Sequence, residues 1–198
     1  TNTAAIMPDT IQEWYLSQEV QPGKYELTDY NFETPNADLK VKKAGPLGQE
    51  RDDMEIYDYP GEYDVTGDGD TYIKARLEEL QAQFEQVRGS GNVAGMYVGG
   101  LVKMIEHPRD DQNREYLLTA VSHEMRTNEY ESGAGGGTSY SCSFVAIPSG
   151  QPYRTPRLTP KPLIQGPQTA VVVGPSDEEI YTDKYGRVKV QFYWDREG

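Results

Sequence analysis

Pro160-Lys161-Pro162-Leu163-Ile164-Gln165-Gly166-Pro167-Gln168-Thr169-Ala170-Val171-Val172-Val173-Gly174-Pro175 changes character halfway along. Its first half carries three prolines in eight residues, and its second half is a β-branched run closed by Gly-Pro. A segment so rich in proline is extended and stiff and lacks the N–H donors a sheet needs. Thr169–Val173 has the composition of a short strand. Proline enrichment begins earlier, since six of the 13 prolines fall between Pro148 and Pro167. Residues 151–167 therefore read as a semi-rigid connector. Arg154, Arg157 and Lys161 make it basic in an otherwise acidic chain, which suits it to lie against an acidic neighbouring surface.

Downstream, Val188, Val190, Phe192 and Trp194 alternate with Lys189, Gln191 and Tyr193, the period of a strand. Asp183-Lys184-Tyr185-Gly186 joins this run to Glu179-Ile180-Tyr181 as a glycine-ended hairpin. Roughly three strands are too few to close a barrel. Residues 168–198 are thus expected to be the truncated start of a β module.

Upstream, residues 1–150 read as one mainly β unit. Trp14–Val20 and Lys24–Phe32 flank Gln21-Pro22-Gly23-Lys24, which suits a type II turn and predicts a hairpin. Residues 34–55 gain charge and lose periodicity, so a solvated connection is expected. One amphipathic helix is expected at about 72–88, where Ile73, Leu77, Leu80, Phe84 and Val87 share a face. Asp70 or Thr71 would cap it and Gly89 would end it, making it a structural helix rather than a site. Met96–Glu106, Glu115–Met125 and Ser139–Ile147 read as strands, the first two separated by a polar reversal at Pro108–Asn113. Gly133-Ala134-Gly135-Gly136-Gly137 predicts a mobile loop.

Composition narrows the function. The 198 residues carry 19 Lys+Arg against 32 Asp+Glu, a net charge of −13, and only 36% are apolar. A nucleic-acid surface needs a basic stripe, which an acidic chain of this kind lacks. No apolar run approaches the roughly 18 residues of a membrane span, and no N-terminal signal pattern is visible. Cys142 is the one cysteine, so no internal disulfide forms.

The motifs that touch on chemistry fail on their mechanics. In Asp64-Val65-Thr66-Gly67-Asp68-Gly69-Asp70, setting Gly69 at position six of a calcium loop puts Ala75 where a bidentate glutamate belongs. An Asp/Gly turn leading into the helix is expected instead. Gly89-Ser90-Gly91-Asn92-Val93-Ala94 spells a dinucleotide fingerprint, but with a helix before it and a strand after it, the reverse of what pyrophosphate binding requires. His123-Glu124 lacks a histidine at Thr127, so the zinc-protease pair is missing. His107 and His123 are read as structural, and Cys142 as a small buried hydrophobe. Catalytic, cofactor-binding and metal-ligating residues are each assigned as none.

Pro160–Pro175, followed by Glu179–Phe192 and Trp194–Glu197, closely resembles the VgrG family, the spike proteins of bacterial type VI secretion. The likeness continues in Asp29–Pro35, Tyr57–Tyr63, His107-Pro108-Arg109 and Asn113–Leu118 through His123. Gly99-Gly100-Leu101-Val102-Lys103-Met104 stands where the family more usually has Pro-Gly-x-x-Phe. The resemblance implies a homotrimeric spike related to phage baseplate hubs: a β-barrel hub on the Hcp tube, an OB-fold neck, and a needle with a PAAR tip. Residues 1–150 would be the later, partial hub, and 168–198 the first strands of the OB-fold. The implied role is mechanical: the spike punctures target membranes and delivers effectors, with no enzyme activity in this chain and no nucleic-acid partner. It would be assembled in the bacterial cytoplasm and exported by type VI secretion without a signal peptide. The alternatives are the spike of a phage or contractile bacteriocin tail, or a carrier of an effector enzyme domain beyond Gly198. The isolated chain is expected to be monomeric or weakly trimeric.

Overall fold

A computed structural model describes residues 9–126, 139–178 and 181–197. The chain divides into two compact units, Thr1–Pro156 and Arg157–Gly198. Among the described residues the first holds two β-sheets. Five strands, β1 (Ile11–Gln18), β5 (Glu85–Gly91), β8 (Ser139–Pro148), β7 (Glu115–Arg126) and β6 (Leu101–Lys103), pair in that order. Every pairing is antiparallel, and the sheet curls into a half-barrel. Three further strands, β3 (Val41–Ala44), β2 (Lys24–Leu27) and β4 (Glu55–Asp58), form a small mixed sheet beside the helix α1 (Thr66–Gln81). The mainly β class and, among the described residues, the single α-helix are as the sequence indicates.

The helix is displaced from its expected place. It occupies 66–81 rather than 72–88, and Phe84 and Val87 are not on it. Ile73 and Leu77 are its buried stripe, packed with Tyr25, Leu27, Leu39, Val41 and Tyr63. Its start moves upstream because Gly69 lies flat against the Tyr63 ring, where an added Cβ would come within 2.7 Å. Val65, extended at φ −134°, is the cap residue, so Asp70 and Thr71 lie inside the helix. Its end comes early because the Gln81 amide donates to Pro22 O (3.1 Å) and Gly45 O (2.5 Å), tying the last turn to the ends of β2 and β3. The chain then turns through Gln83 and Phe84 into β5, whose side chains alternate in and out. Val87 satisfies both periods, which is why the helical stripe runs on into a strand. Gly89 is therefore a central-strand residue, not a helix stop. The Phe144 ring fills the space its side chain would occupy.

The expected hairpin of the first two strands does not form. β1 pairs with β5, while β2 pairs antiparallel with β3 and parallel with β4. Residues 21–24 are the crossing point between the sheets. Gly23 and Lys24 each donate to Met54 O (both 3.1 Å), and Gln21 and Gln49 bond reciprocally. The 34–55 stretch is also more ordered than expected. It contains β3, at whose start buried Leu39 and Val41 alternate with exposed Lys40 and Lys42. That period of two is masked by the surrounding charge. Of Met96–Glu106 only Leu101–Lys103 is strand, whereas β7 and β8 match the expected strands closely. The polar reversal holds a short 3-10 turn at Asp110–Gln112. The glycine-rich 133–137 stretch lies outside the described residues.

The second unit contains β9 (Ala170–Val173) paired antiparallel with β10 (Lys189–Phe192). Asp183 organises the reversal. Its carboxylate accepts from the Tyr185 and Arg187 amides (both 2.9 Å), and Gly186 takes a left-handed φ of 76°. Val171, Val172, Val188 and Trp194 all remain exposed.

Candidate functional site

The half-barrel brings its two edges together. β1 and β6 end opposite sides of the sheet order, yet residues of both line one cleft of about 570 Å³. Ile11 and Trp14 stand on one wall, Val102 and Met104 on the other, and Phe144 of β8 reaches in between. Trp14 crosses the gap. Its ring meets Tyr116 edge-on at 5.0 Å and lies 6.0 Å from His107, and its Nε1–H donates to Gln112 Oε1 at 3.1 Å.

A polar chain continues from that bond. Tyr116 donates its hydroxyl toward the same Gln112 oxygen (3.1 Å) and accepts from Arg114 Nε (3.2 Å). Arg114 pairs with Glu85, and Glu85 also accepts from Gln18 Nε2 at 2.8 Å. Burial opposes the Arg114 cation, but Tyr116 and Glu85 outweigh it and raise its pKa. Gln112 and Tyr116 are fully buried, so these bonds satisfy groups that would otherwise be stranded. The 3-10 turn, β1, β5 and β7 are fastened together at this point.

The small sheet carries a second polar centre. Glu26 is buried on the face away from α1 and pairs with Lys40 (2.9 Å) and with Lys42. Hydrogen bonds from Lys42 and Lys40 pull its pKa below the ordinary glutamate value, against the opposing effect of desolvation. At the mouth of the same unit, Asp29 accepts from the backbone of Tyr30, Glu62 and Tyr63. Burial tends to raise its pKa, but these amide bonds prevail and lower it. Arg76 of α1 bonds Asp58 of β4 at 2.7 Å.

The sequence-flagged residues are scattered rather than convergent. His107 Nδ1 accepts from the Arg109 amide at 3.0 Å. His123 lies on β7, with Nδ1 2.6 Å from Tyr140 Oη and Nε2 3.1 Å from Met96 O. Cys142 is buried on β8. The Asp64–Asp70 run enters and begins α1, and Gly89–Gly91 belongs to β5. Among the described residues no group of three or more His, Cys, Asp or Glu is placed to hold a metal ion, and no helix is long and apolar enough to cross a membrane. Arg154 does reach an acidic surface, donating to Glu78 of α1 at 2.8 Å. Gln112, Glu85, Glu26 and Asp29 were not singled out from sequence, because each takes its partners from distant strands or loops. The buried-in-alternation pattern around Glu26 was the one available signal.

Comparison with known proteins agrees on one lineage. The family model for the phage tail baseplate hub (GPD) matches residues 1–129. The type VI secretion system spike protein VgrG1b of Pseudomonas aeruginosa is 46% identical over 189 residues, 95% of this chain and 26% of its own. VgrG1a of the same organism is 46% identical over 189 residues, covering 29% of its length, and VgrG5 is 37% identical over 180 residues, covering 23%. The chain thus spans about a quarter of the length of these curated relatives.

Proposed function

This chain belongs to the phage tail baseplate hub family, and from that membership we propose that it is the hub portion of a type VI secretion spike. The observation that carries the reading is the likeness to VgrG spike proteins along 95% of the chain, across both compact units. The fold is compatible with a mechanical part. In a curled antiparallel sheet, ladder bonds between neighbouring strands are loaded together, so axial force is shared rather than concentrated. The polar chain from Trp14 through Gln112, Tyr116 and Arg114 to Glu85 fastens β1, β5 and β7 to one another.

In the full-length protein the chain works as a homotrimer seated on the Hcp tube, with a PAAR tip and effectors carried by regions outside these residues. The assembly forms in the bacterial cytoplasm and is driven outward through target membranes. No catalytic step is assigned to it. Three copies carry three times −13, or −39, so protomer contacts must exclude or screen much of that charge within a Debye length of roughly 8 Å. A second reading, the spike of a phage or contractile bacteriocin tail, draws on the hub family itself. Genes for Hcp and a type VI ATPase beside this one favour the first reading. The functional test is deletion of the full-length gene in its source bacterium, followed by measurement of Hcp in the culture medium. Loss of Hcp export, restored by the intact gene, is expected; undiminished export would overturn the proposal.

A further inference from the structure

We propose that the start of the proline-rich connector is a clasp: Gln151 and Arg154 fasten it along α1, so the rigid part of the first unit reaches Arg154 and the joint begins only beyond it. The inference stands on the geometry of the first unit and is independent of the spike reading. Three observations carry it.

The first is what the end of α1 takes from the connector. A helix leaves its last carbonyls without intrahelical partners. The Ala82, Gln83 and Phe84 amides turn back onto Glu78 O, Leu80 O and Gln81 O. Ala82 O accepts instead from the Gln151 side-chain amide at 2.9 Å, and the same Nε2 lies 3.4 Å from Glu85 O at the start of β5. The last turn of α1 has no basic residue of its own. Arg154 brings a cation there, where the helix dipole favours one, and donates through Nε to Glu78 Oε2 at 2.8 Å. Glu78 Oε1 faces Lys74 at 3.9 Å, so the two carboxylate oxygens serve different partners.

The second is a match of periods. An extended proline-rich chain turns once in three residues and rises about 3.1 Å per residue, so Gln151 and Arg154 share a face about 9 Å apart. Glu78 and Ala82 lie four apart on a helix, on one face and about 6 Å apart along the axis. Two long side chains span the difference. With Gln151 at Ala82 and Arg154 at Glu78, the connector runs antiparallel to α1.

The third is where packing stops. Ser149 N–H bonds Glu115 O (3.1 Å) and Gln151 N–H bonds Pro148 O (2.9 Å), so the backbone is held as far as the first clasp residue. Past Arg154, Leu158 and Leu163 are 82% and 80% exposed, and the first compact unit ends at Pro156. The clasp also sets the path of a force. β8 ends at Pro148 opposite Tyr116, and a pull arriving there would open the ladder one pair at a time. Through the clasp it meets α1 first, whose last turn Gln81 ties to Pro22 O and Gly45 O.

The test is limited trypsin digestion of the full-length protein under native conditions, with each cut followed by mass spectrometry. Cleavage after Arg154 requires the clasp to open, so its rate follows the open population. Gln151→Ala and Glu78→Gln should each speed that cut roughly five- to tenfold, about the worth of one such hydrogen bond, and leave the cut after Arg157 unchanged. Lys74→Gln, which approaches Glu78 from the other side, should change neither. Cleavage after Arg76, inside α1, reports unfolding of the helix and should stay at the parent level. If Gln151→Ala raises it, Glu78→Gln, which leaves the bond to Ala82 O in place, decides. A cut after Arg154 indifferent to both Gln151→Ala and Glu78→Gln would overturn the inference. So would equal acceleration after Arg154 and Arg157, since the rigid part would then extend past the proposed joint.

Discussion

Replacing Gly89 by alanine tests the placement of β5 directly. An added Cβ would lie 2.5 Å from Phe144 Cζ, 2.9 Å from its Cε1, and 2.7 Å from the backbone oxygen of Glu13. Carbon atoms pack at about 3.5–4 Å, so the ring has to withdraw by about 1 Å. Phe144 is buried against Trp14 (6.0 Å between rings), and the Glu13 oxygen belongs to a strand paired with β5, so neither yields freely. Overpacking of this kind costs about 1–3 kcal/mol, and with a backbone atom involved the upper half of that range is expected. At a urea slope of about 2 kcal/mol per molar, the midpoint should fall by roughly 1 M. Fluorescence of Trp14 in a Trp194→Phe background reports the first unit alone. Phe144→Leu in the same background should relieve part of the clash, so the double variant should be more stable than the sum of the singles by about 0.5–1.5 kcal/mol. If Gly89 instead ended a helix, as its sequence context suggests, alanine would cost about 1 kcal/mol with no coupling to Phe144. Additivity within about 0.3 kcal/mol would refute the strand assignment.

Two further substitutions probe the buried polar centres. Because Lys42 and Lys40 lower the Glu26 pKa in the folded chain, its contribution is full above the unfolded value of about 4.3 and is lost as pH falls through the folded value. The stability gap between the parent and Glu26→Gln should therefore be widest near pH 7 and close toward pH 3 in urea melts; a gap that widens on acidification would contradict the pairing. Gln112→Ala removes the acceptor of the half-buried Trp14 N–H, while Tyr116 keeps its bond to Gln112 O (3.2 Å). A loss of about 1–3 kcal/mol is expected by thermal melting, partly recovered in Gln112→Glu, and a loss below about 0.5 kcal/mol would show that the bond is idle.

Much of the wall was legible because its strands carry their own period. β7 and β8 are long, β-branched and bounded by turn residues, and β9 and β10 announce themselves by the connector before them and the Asp183–Gly186 turn between. The helix was half legible: Ile73 and Leu77 were placed correctly, but Val87 fits a helical and an alternating pattern equally, and only the strand has partners on both sides. The β1–β2 hairpin failed because turn chemistry at Pro22-Gly23 specifies a reversal, not which strands meet after it. Met54, from 31 residues beyond Gly23, takes the hydrogen bonds that a hairpin partner would have made.

The site was less legible than the fold, for a different physical reason. A catalytic constellation leaves a trace in side-chain types, whereas an open edge is made of backbone groups that every residue possesses. Trp14 and Leu101 look like ordinary strand residues in the sequence. They become edge residues only once β5 and β7 have claimed one side of each strand and, among the described residues, no strand pairs with the other. The low apolar fraction has the same origin. Trp14, Val102 and Met104 are only partly buried, because the wall they face is open. A sequence can thus be poor in hydrophobic residues where a sheet is open on one side, because the side chains facing the opening are only half-buried.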